Sequence, residues 1–192
     1  MGEKPLLTIA IPTWNRAPFL RLTLAQLRQE MARVPNGKVE LLISDNCSQD
    51  ETASVVEHFT QSGLSVHYTK NQENIGSDAN IAQCFNLAQG KYVLILGDDD
   101  LFVDGALDIL LHRLSDNDYG IICLRSYGFE LDFRKEYPGG HGKDKTFKDG
   151  GKFLAAIGPL MTLISSCVIN KKLLSSVDAL QFLVVIWYRC IW

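Results

Sequence analysis

Tyr92-Val93-Leu94-Ile95-Leu96-Gly97-Asp98-Asp99-Asp100 is the stretch whose reading decides the fold. An unbroken apolar run ends in a glycine and three consecutive carboxylates. The run has the length and β-branched content of a strand buried on both faces. Three adjacent carboxylates repel one another, and packing gives no reason to gather them. A divalent cation makes such a cluster favourable, because hard cations prefer carboxylate oxygen. On a continuing strand, Asp98 and Asp100 point one way and Asp99 the other. The plainer alternative is a solvated acidic turn in which one of the three caps the helix that follows.

Upstream of this stretch, Leu6-Leu7-Thr8-Ile9-Ala10-Ile11-Pro12 reads as a strand stopped by proline. Thr13-Trp14-Asn15-Arg16 follows as a loop. Phe19, Leu20, Leu22, Leu24 and Leu27 then recur at helical spacing through Met31. Pro35-Asn36-Gly37 is a turn. Val39 to Ser44 is a second strand, ending at Asp45-Asn46. Ser48-Gln49-Asp50-Glu51 predicts a capping box opening a helix that carries Val55, Val56 and Phe59, and Gly63 closes that helix. Leu64 to Tyr68 is a third strand, and Asn71 to Gly76 a polar loop. Ser77 is expected to cap a helix through Ala88, with Ile81, Phe85 and Leu87 facing inward and Gly90 ending it. Downstream, a helix is expected from about Val103 to Leu114 and a strand at Tyr119 to Leu124.

Strand and helix alternate throughout. That pattern implies an α/β protein with a mostly parallel sheet, helices on both faces and right-handed crossovers. In open sheets of this kind, ligands bind beyond the carboxyl ends of the strands. Three polar clusters sit at such ends: Thr13-Trp14-Asn15, Asp45-Asn46 and Asp98-Asp99-Asp100. They are expected to converge on one edge of the sheet.

Composition narrows the classes. The 192 residues suit one sizeable domain, and 46% hydrophobic with 21% charged is ordinary for a soluble globular chain. A net charge of −3 argues against a nucleic-acid-binding surface. The five cysteines, Cys47, Cys84, Cys123, Cys167 and Cys190, are odd in number and widely spaced without a CxxC pair. Reduced thiols in a cytosolic compartment are expected, and not a disulfide frame or zinc site. No apolar segment precedes the first strand to serve as a secretory signal, and no run is long enough to span a bilayer.

Beyond Ser126 the pattern weakens. Gly139-Gly140-His141-Gly142, with Lys143 and Lys145, is either an exposed turn or a flap over anionic substrate groups. Gly151 to Ile157 predicts a short helix, and Met161 to Ile169 an apolar strand carrying Ser165 and Ser166. Phe182 to Tyr188 is strongly apolar just before the chain stops at Trp192. It suits a last core strand, an oligomer interface, an interfacial membrane contact, or surface left by truncation.

Phosphate-binding loops of other nucleotide enzymes are absent: there is no GxxxxGK[ST], and Pro12-Thr13-Trp14-Asn15-Arg16 stands where GxGxxG would. A diphosphate would therefore be held through a carboxylate-bound Mg²⁺ or Mn²⁺, which also makes it a better leaving group. Asp45 is either an acceptor for a base or ribose or an Asx-turn residue leading into the next helix.

Ile9-Ala10-Ile11-Pro12-Thr13-Trp14-Asn15-Arg16, then Ser44-Asp45-Asn46-Cys47-Ser48-Gln49-Asp50, then Asn74-Ile75-Gly76, then Gly97-Asp98-Asp99-Asp100 occur in that order. Together they resemble the family 2 glycosyltransferases, inverting enzymes with a Rossmann-like GT-A fold, an αβα sandwich. The GDDD and SDN forms look like the branch with abequosyltransferases and related O-antigen sugar transferases. The resemblance covers about Leu6 to Leu114. It implies that Pro12 and Thr13, with Asn15 beside them, line the nucleoside pocket and that Asp45 contacts the base. It places Asn74 and Gly76 in the loop beside the nucleotide. Asp98 would meet the ribose or a metal-bound water, and Asp100 would hold the Mg²⁺ or Mn²⁺, with Asp98 or Asp99 sharing the task. The donor would be a nucleoside-diphosphate sugar and the acceptor a glycan or lipid-linked saccharide.

Two segments are expected: a donor-binding core over 1–125 and a partial, truncated acceptor-side region over 126–192. An inverting displacement needs a carboxylate near the acceptor hydroxyl. Asp178 is the one acidic residue after Asp149 and equally suits a helix cap; Glu130, Asp132 and Glu136 are no better placed as the base. The expected location is cytoplasmic, peripheral on the inner face of the membrane. Alternatives are a donor-binding fragment without catalysis and a nucleotidyltransferase, which would carry a glycine- and arginine-rich loop after the first strand.

Overall fold

A computed structural model describes residues 4–139, 144–158, 160 and 163–174. Six strands form one sheet: β1 (Leu7–Thr13), β2 (Val39–Asp45), β3 (His67–Lys70), β4 (Tyr92–Ile95), β5 (Ile121–Cys123) and β6 (Cys167–Asn170). Five α-helices accompany them: α1 (Ala17–Met31), α2 (Thr52–Gln61), α3 (Ser77–Leu87), α4 (Ala106–Asp116) and α5 (Gly150–Ile157). The strand order is β3-β2-β1-β4-β6-β5. The pairs β1–β2, β1–β4 and β2–β3 are parallel, and β6 runs antiparallel to both β4 and β5. The mixed α/β, mostly parallel sheet is the expected one.

Each sheet face buries its own cluster. Leu7, Ile9, Ile11, Leu41, Ile43, Tyr92 and Leu94 point to the side covered by α1, α2 and α4, and meet Leu20, Leu24, Val55, Phe59, Leu107 and Leu111 there. Ala10, Leu42, Val93 and Ile95 point to the other side, where α3 supplies Cys84. Strands buried on both faces read as unbroken apolar runs, which is why β1, β2 and β4 were visible. Each fully buried Leu or Ile contributes about 1.5–3 kcal/mol.

Pro12 does not stop β1. The strand runs on to Thr13, with Pro12 opposite Ser44. Alternation explains why the proline is tolerated. Leu6 and Ala10 turn their carbonyls to β4, and Thr13 turns its own to Asn46 of the β2 end. Pro12 therefore faces the β4 side, beyond the last pair, Ala10 with Ile95. Its missing N–H costs no ladder bond.

Other expectations are corrected. Phe19 and Leu22 are exposed at 49% and 62%, so α1 buries only part of the stripe. β3 begins at His67, not Leu64, and is an edge strand with two exposed ends. In α3, Ile81 and Phe85 pack on the core but Leu87 faces out, and Gly76, not Ser77, is the cap residue. The last strand is only Cys167–Asn170; Ile164–Ser166 is a 3₁₀ turn, and Met161 and Thr162 lie outside the described residues. The Gly140–Lys143 stretch, Asp178 and the apolar run 182–188 also lie outside them. No described helix is long and apolar enough to cross a membrane.

Candidate functional site

The carboxyl ends of β1, β2 and β4 meet. Thr13, the last residue of β1, donates its hydroxyl to Asp98 Oδ2 at 2.7 Å. Its carbonyl accepts the Asn46 N–H from the β2 end at 2.9 Å. The next loop reaches further. Arg16 Nε lies 2.8 Å from Asp98 Oδ1, and Nη2 lies 2.5 Å from Asp99 Oδ2. The Nε contact is one of charge and not an aligned hydrogen bond, since its N–H finds no acceptor along its direction. The guanidinium also stacks 4.5 Å from the Phe19 ring centroid, which explains one of the two exposed apolar residues of α1.

Asp98 is 6% exposed. Burial pushes its carboxyl pKa above the ordinary value; the Thr13 hydroxyl and Arg16 oppose the rise without cancelling it. Asp100 goes elsewhere: it accepts the hydroxyl of Ser165, in the 3₁₀ turn before β6. That hydroxyl also accepts the Gly97 N–H at 2.8 Å. Ser165 thus pins both ends of the acidic turn.

α1 holds the chain beyond that turn with a buried polar stripe. Thr23 donates to the Asp98 carbonyl at 2.8 Å, and Gln26 to the Phe102 carbonyl at 2.9 Å. Glu30 accepts the N–H groups of Gly105 at 2.8 Å and Leu107 at 3.1 Å. Its carboxylate satisfies orphan donors at the start of α4 and complements that helix dipole. Arg134 then grips Asp104 with Nε at 2.7 Å and Nη2 at 2.9 Å. None of Arg16, Thr23, Gln26, Glu30 or Ser165 was singled out by role from sequence. The signal for the helix residues was their spacing of three and four beside Leu20, Leu24 and Leu27.

The second loop is tied to the third. Asn46 donates to Asn74 Oδ1 at 2.8 Å and to the Gly76 carbonyl at 3.2 Å, and accepts the Ile75 N–H at 3.0 Å. Gly76 has φ 88° and ψ 158°, a conformation in which a side chain is strained. Asn15 and Cys47 are the two non-glycine residues of positive φ, at 54° and 66°, and both lie in these loops. Asn15 Oδ1 accepts the Gln49 N–H at 2.7 Å, and the Asn15 N–H donates to Ser48 Oγ at 2.8 Å.

Those bonds replace the expected capping box, because the Ser48 hydroxyl is taken by Asn15. Asp50 caps instead, and caps twice: Oδ2 accepts the Ala17 N–H of α1 at 2.9 Å, and Oδ1 the Thr52 N–H of α2 at 3.0 Å. Asp45 is fully buried. Oδ1 accepts the Ser48 N–H at 2.8 Å, and Oδ2 accepts the Tyr68 hydroxyl at 2.6 Å. Burial first, and then that bond, raise the Tyr68 pKa above the ordinary range.

Among the described residues, no group of three or more His, Cys, Asp and Glu is gathered to hold a metal. The donor set still fits a hard divalent cation. A Cβ on Gly97 would lie 2.6 Å from Asp100 Oδ2 and 3.2 Å from Asp99 Oδ1, so the glycine leaves a cradle where two carboxylates converge. One or two protein carboxylates suffice when substrate phosphates complete the shell. Glu130, Asp132 and Glu136 are engaged within their own loop: Glu136 accepts the N–H groups of Glu130, Leu131 and Asp132, and Asp132 that of Arg134.

The family model described as Glycosyl transferase family 2 matches residues 8–176. Abequosyltransferase RfbV of Salmonella typhimurium is 32% identical over 121 residues, covering 62% of this chain and 36% of that protein. GalNAc(5)-diNAcBac-PP-undecaprenol beta-1,3-glucosyltransferase of Campylobacter jejuni is 28% identical over 113 residues, covering 58% and 35%. S. aureus TarS 1-349 in complex with UDP-GlcNAc superposes with TM-score 0.67 at 17% identity, covering 92% of this chain and 48% of that one. Mannosyltransferase PcManGT from Pyrobaculum calidifontis, with GDP-Man and Mn²⁺, gives TM-score 0.62 at 19% identity, covering 91% and 47%. At these identities the two structures bear on the fold alone. The matched part of each relative is less than half its length.

Proposed function

The chain belongs to glycosyl transferase family 2, and from that premise we propose that it transfers a sugar from a nucleoside-diphosphate sugar to a glycan or lipid-linked saccharide, with inversion, in surface polysaccharide assembly. The observation that carries the proposal is the single rim made by Thr13, Arg16, Asp98 and Asp99, where β1 and β4 end side by side. The polysaccharide context is supported by the abequosyltransferase and by the putative colanic acid glycosyl transferase WcaA of Escherichia coli, 30% identical over 112 residues.

In this reading Asp99 and Asp100 would hold a Mg²⁺ or Mn²⁺ ion, with Asp98 beside them. When bound, that ion absorbs charge developing on the leaving diphosphate. Arg16 supplies a second positive charge at the same rim. Pro12, Thr13 and Asn15 flank the nucleoside, and Asn74 and Gly76 form the loop opposite. Asp45 shapes the floor of the pocket through Ser48 and Tyr68. The region after 125 faces the acceptor, and the location is cytoplasmic, peripheral to the membrane.

Calorimetry with UDP, GDP and further nucleoside diphosphates, with and without Mn²⁺, tests the donor half. Metal-dependent binding lost in Asp100→Ala is expected; equal affinity with and without metal overturns it. A second reading, donor binding without transfer, is favoured by the engagement of Glu136 and Asp132 with N–H groups of their own loop. Binding without turnover of a sugar-nucleotide panel in the presence of glycan acceptors distinguishes it.

A further inference from the structure

Cys123 and Cys167 stand directly opposite each other in the antiparallel pair of β5 and β6. The neighbouring backbone bonds fix the class of that pairing. Leu124 N–H donates to the Ser166 carbonyl at 2.6 Å, and Asn170 N–H donates to the Gly120 carbonyl at 2.9 Å. Hydrogen-bonded pairs recur every second residue, so they are 120 with 170, 122 with 168, and 124 with 166. Cys123 with Cys167 falls between them, in a non-hydrogen-bonded pair. There the Cα atoms are about 4.5 Å apart and the side chains lean together on one face. A disulfide spans Cα separations of about 4.4–6.8 Å.

Both thiols are free and partly exposed. Burial raises the Cys123 pKa, and the adjacent Cys167 thiol adds to the rise. The other described cysteines are placed differently. Cys84 is wholly buried on the α3 face, its thiol pushed up to about 12 by burial. Cys47 turns its sulfur to the Gln72 carbonyl at 3.4 Å.

We propose that Cys123 and Cys167 are an oxidation site that forms a reversible cross-strand disulfide by exchange with a low-molecular-weight disulfide. One cysteine thiolate attacks the small disulfide, forming a mixed disulfide and releasing one small thiol. The second cysteine thiolate attacks the protein sulfur of that bond and releases the other small thiol. The protein loses two protons and two electrons, and the oxidant takes up both electrons to become two thiols. Exchange accelerates as pH rises, since only the thiolate attacks and the Cys123 thiol ionises late.

The bond closes the segment 124–166 at its base. That segment carries Ser165, which holds Asp100, and Arg134, which holds Asp104. Oxidation therefore staples the region that leans on the acidic turn. The proposal does not depend on the transferase reading.

The test treats the whole chain with glutathione disulfide, quenches with an alkylating agent, and reads intact mass and linked peptides. The expected result is a chain two hydrogens below the unmodified mass at these two cysteines and therefore two alkyl groups short of the alkylated reduced control, a Cys123–Cys167 linked peptide, and reversal by dithiothreitol. Trypsin cuts at the exposed Arg134 or Lys135 leave fragments joined only after oxidation. The melting temperature rises by roughly 5–10 °C. Cys123→Ser and Cys167→Ser each abolish these changes, and Cys47→Ser does not. Stable glutathione adducts without a link, a link through Cys47, Cys84 or Cys190, or no change would overturn the proposal. Peptide mapping of the unsubstituted chain decides the matter should a serine variant fail to fold.

Discussion

The hydroxyl of Ser165 donates to the carboxylate of Asp100 across 65 positions of sequence, and the same oxygen accepts the Gly97 N–H. One hydroxyl from the end of the described chain therefore fixes the turn that ends β4. Ser165→Ala removes both bonds and frees Asp100 to rotate. In calorimetry with Mn²⁺ and a nucleoside diphosphate, affinity is expected to fall about 5–30-fold, equivalent to about 1–2 kcal/mol. Ser165→Thr keeps the hydroxyl and restores most of it. An unchanged affinity in the alanine variant removes Ser165 from the site.

Arg16 pairs with Asp98 and Asp99, carboxylates that a metal at the acidic turn would also draw on. Arg16→Gln removes the fixed cation and leaves two carboxylates unneutralised. Mn²⁺ affinity of the nucleotide-free chain, read by electron paramagnetic resonance, is expected to rise about tenfold or more. Affinity for the diphosphate is expected to drop in the same variant. A metal affinity that stays level or falls would show that Arg16 does not compete for the acidic turn.

Gly97 is required by contact and not by backbone angle. An alanine Cβ there would meet Asp100 Oδ2 at 2.6 Å. Gly97→Ala is expected to fold, since the carboxylate end of a side chain can move, but to lose metal-supported nucleotide binding. Gly90→Ala gives the contrasting case: its Cβ meets the backbone of β1, at 2.6 Å from the Thr8 nitrogen. It should destabilise the whole domain, by about 1–3 kcal/mol in denaturant titration, with nucleotide binding intact in the folded fraction.

Glu30→Ala strips the acceptor from two N–H groups at the start of α4, in a position where Glu30 is 1% exposed. A loss of about 2–4 kcal/mol is expected from orphaning both donors. Urea unfolding measures it; a loss below about 1 kcal/mol would mean that water replaces the carboxylate.

Asp50 gives a pH signature. Burial raises its carboxyl pKa, but the Thr52 hydroxyl and the N–H groups of Ala17 and Thr52 outweigh that, leaving it below the ordinary 3.8. The folded chain thus favours the ionised form. Its stabilisation is complete above the ordinary value and is lost as pH falls through the lower, folded one. Asp50→Ala is expected to cost about 1–2 kcal/mol at neutral pH through two lost caps. The gap between variant and parent should narrow in acid below about pH 4. A gap that persists there would show that the carboxylate charge plays no part.

The layout was legible because buried parallel strands announce themselves as apolar runs. β1, β2 and β4 were placed within a residue or two, and their polar ends met as expected. What escaped were residues whose partners are distant. Ser48 carried a cap signature, but Asn15 took its hydroxyl and Asp50 inherited the capping. Thr23, Gln26 and Glu30 are polar residues to which the helical pattern assigned no role, yet they are buried because the chain from Asp98 to Leu107 lies across them. Ser165 sat in an apolar stretch and suggested strand; the turn it stands in brings its hydroxyl to Gly97 and Asp100. β3, an edge strand with little burial, left only a faint pattern and was read three residues early. Cys123 and Cys167 are 44 positions apart, and register alone makes them neighbours.

Asn46 carries a consequence for redesign. Its side chain bonds Asn74, Ile75 and Gly76 at once, so the β2 loop and the loop before α3 move as one cassette. Grafting residues 71–76 from a relative, while leaving the 45–48 loop native, removes the Asn74 partner wherever the graft lacks that asparagine and puts the two backbone bonds to Ile75 and Gly76 at risk with it. A chimera that exchanges both loops together keeps its own asparagine matched to its own cradle.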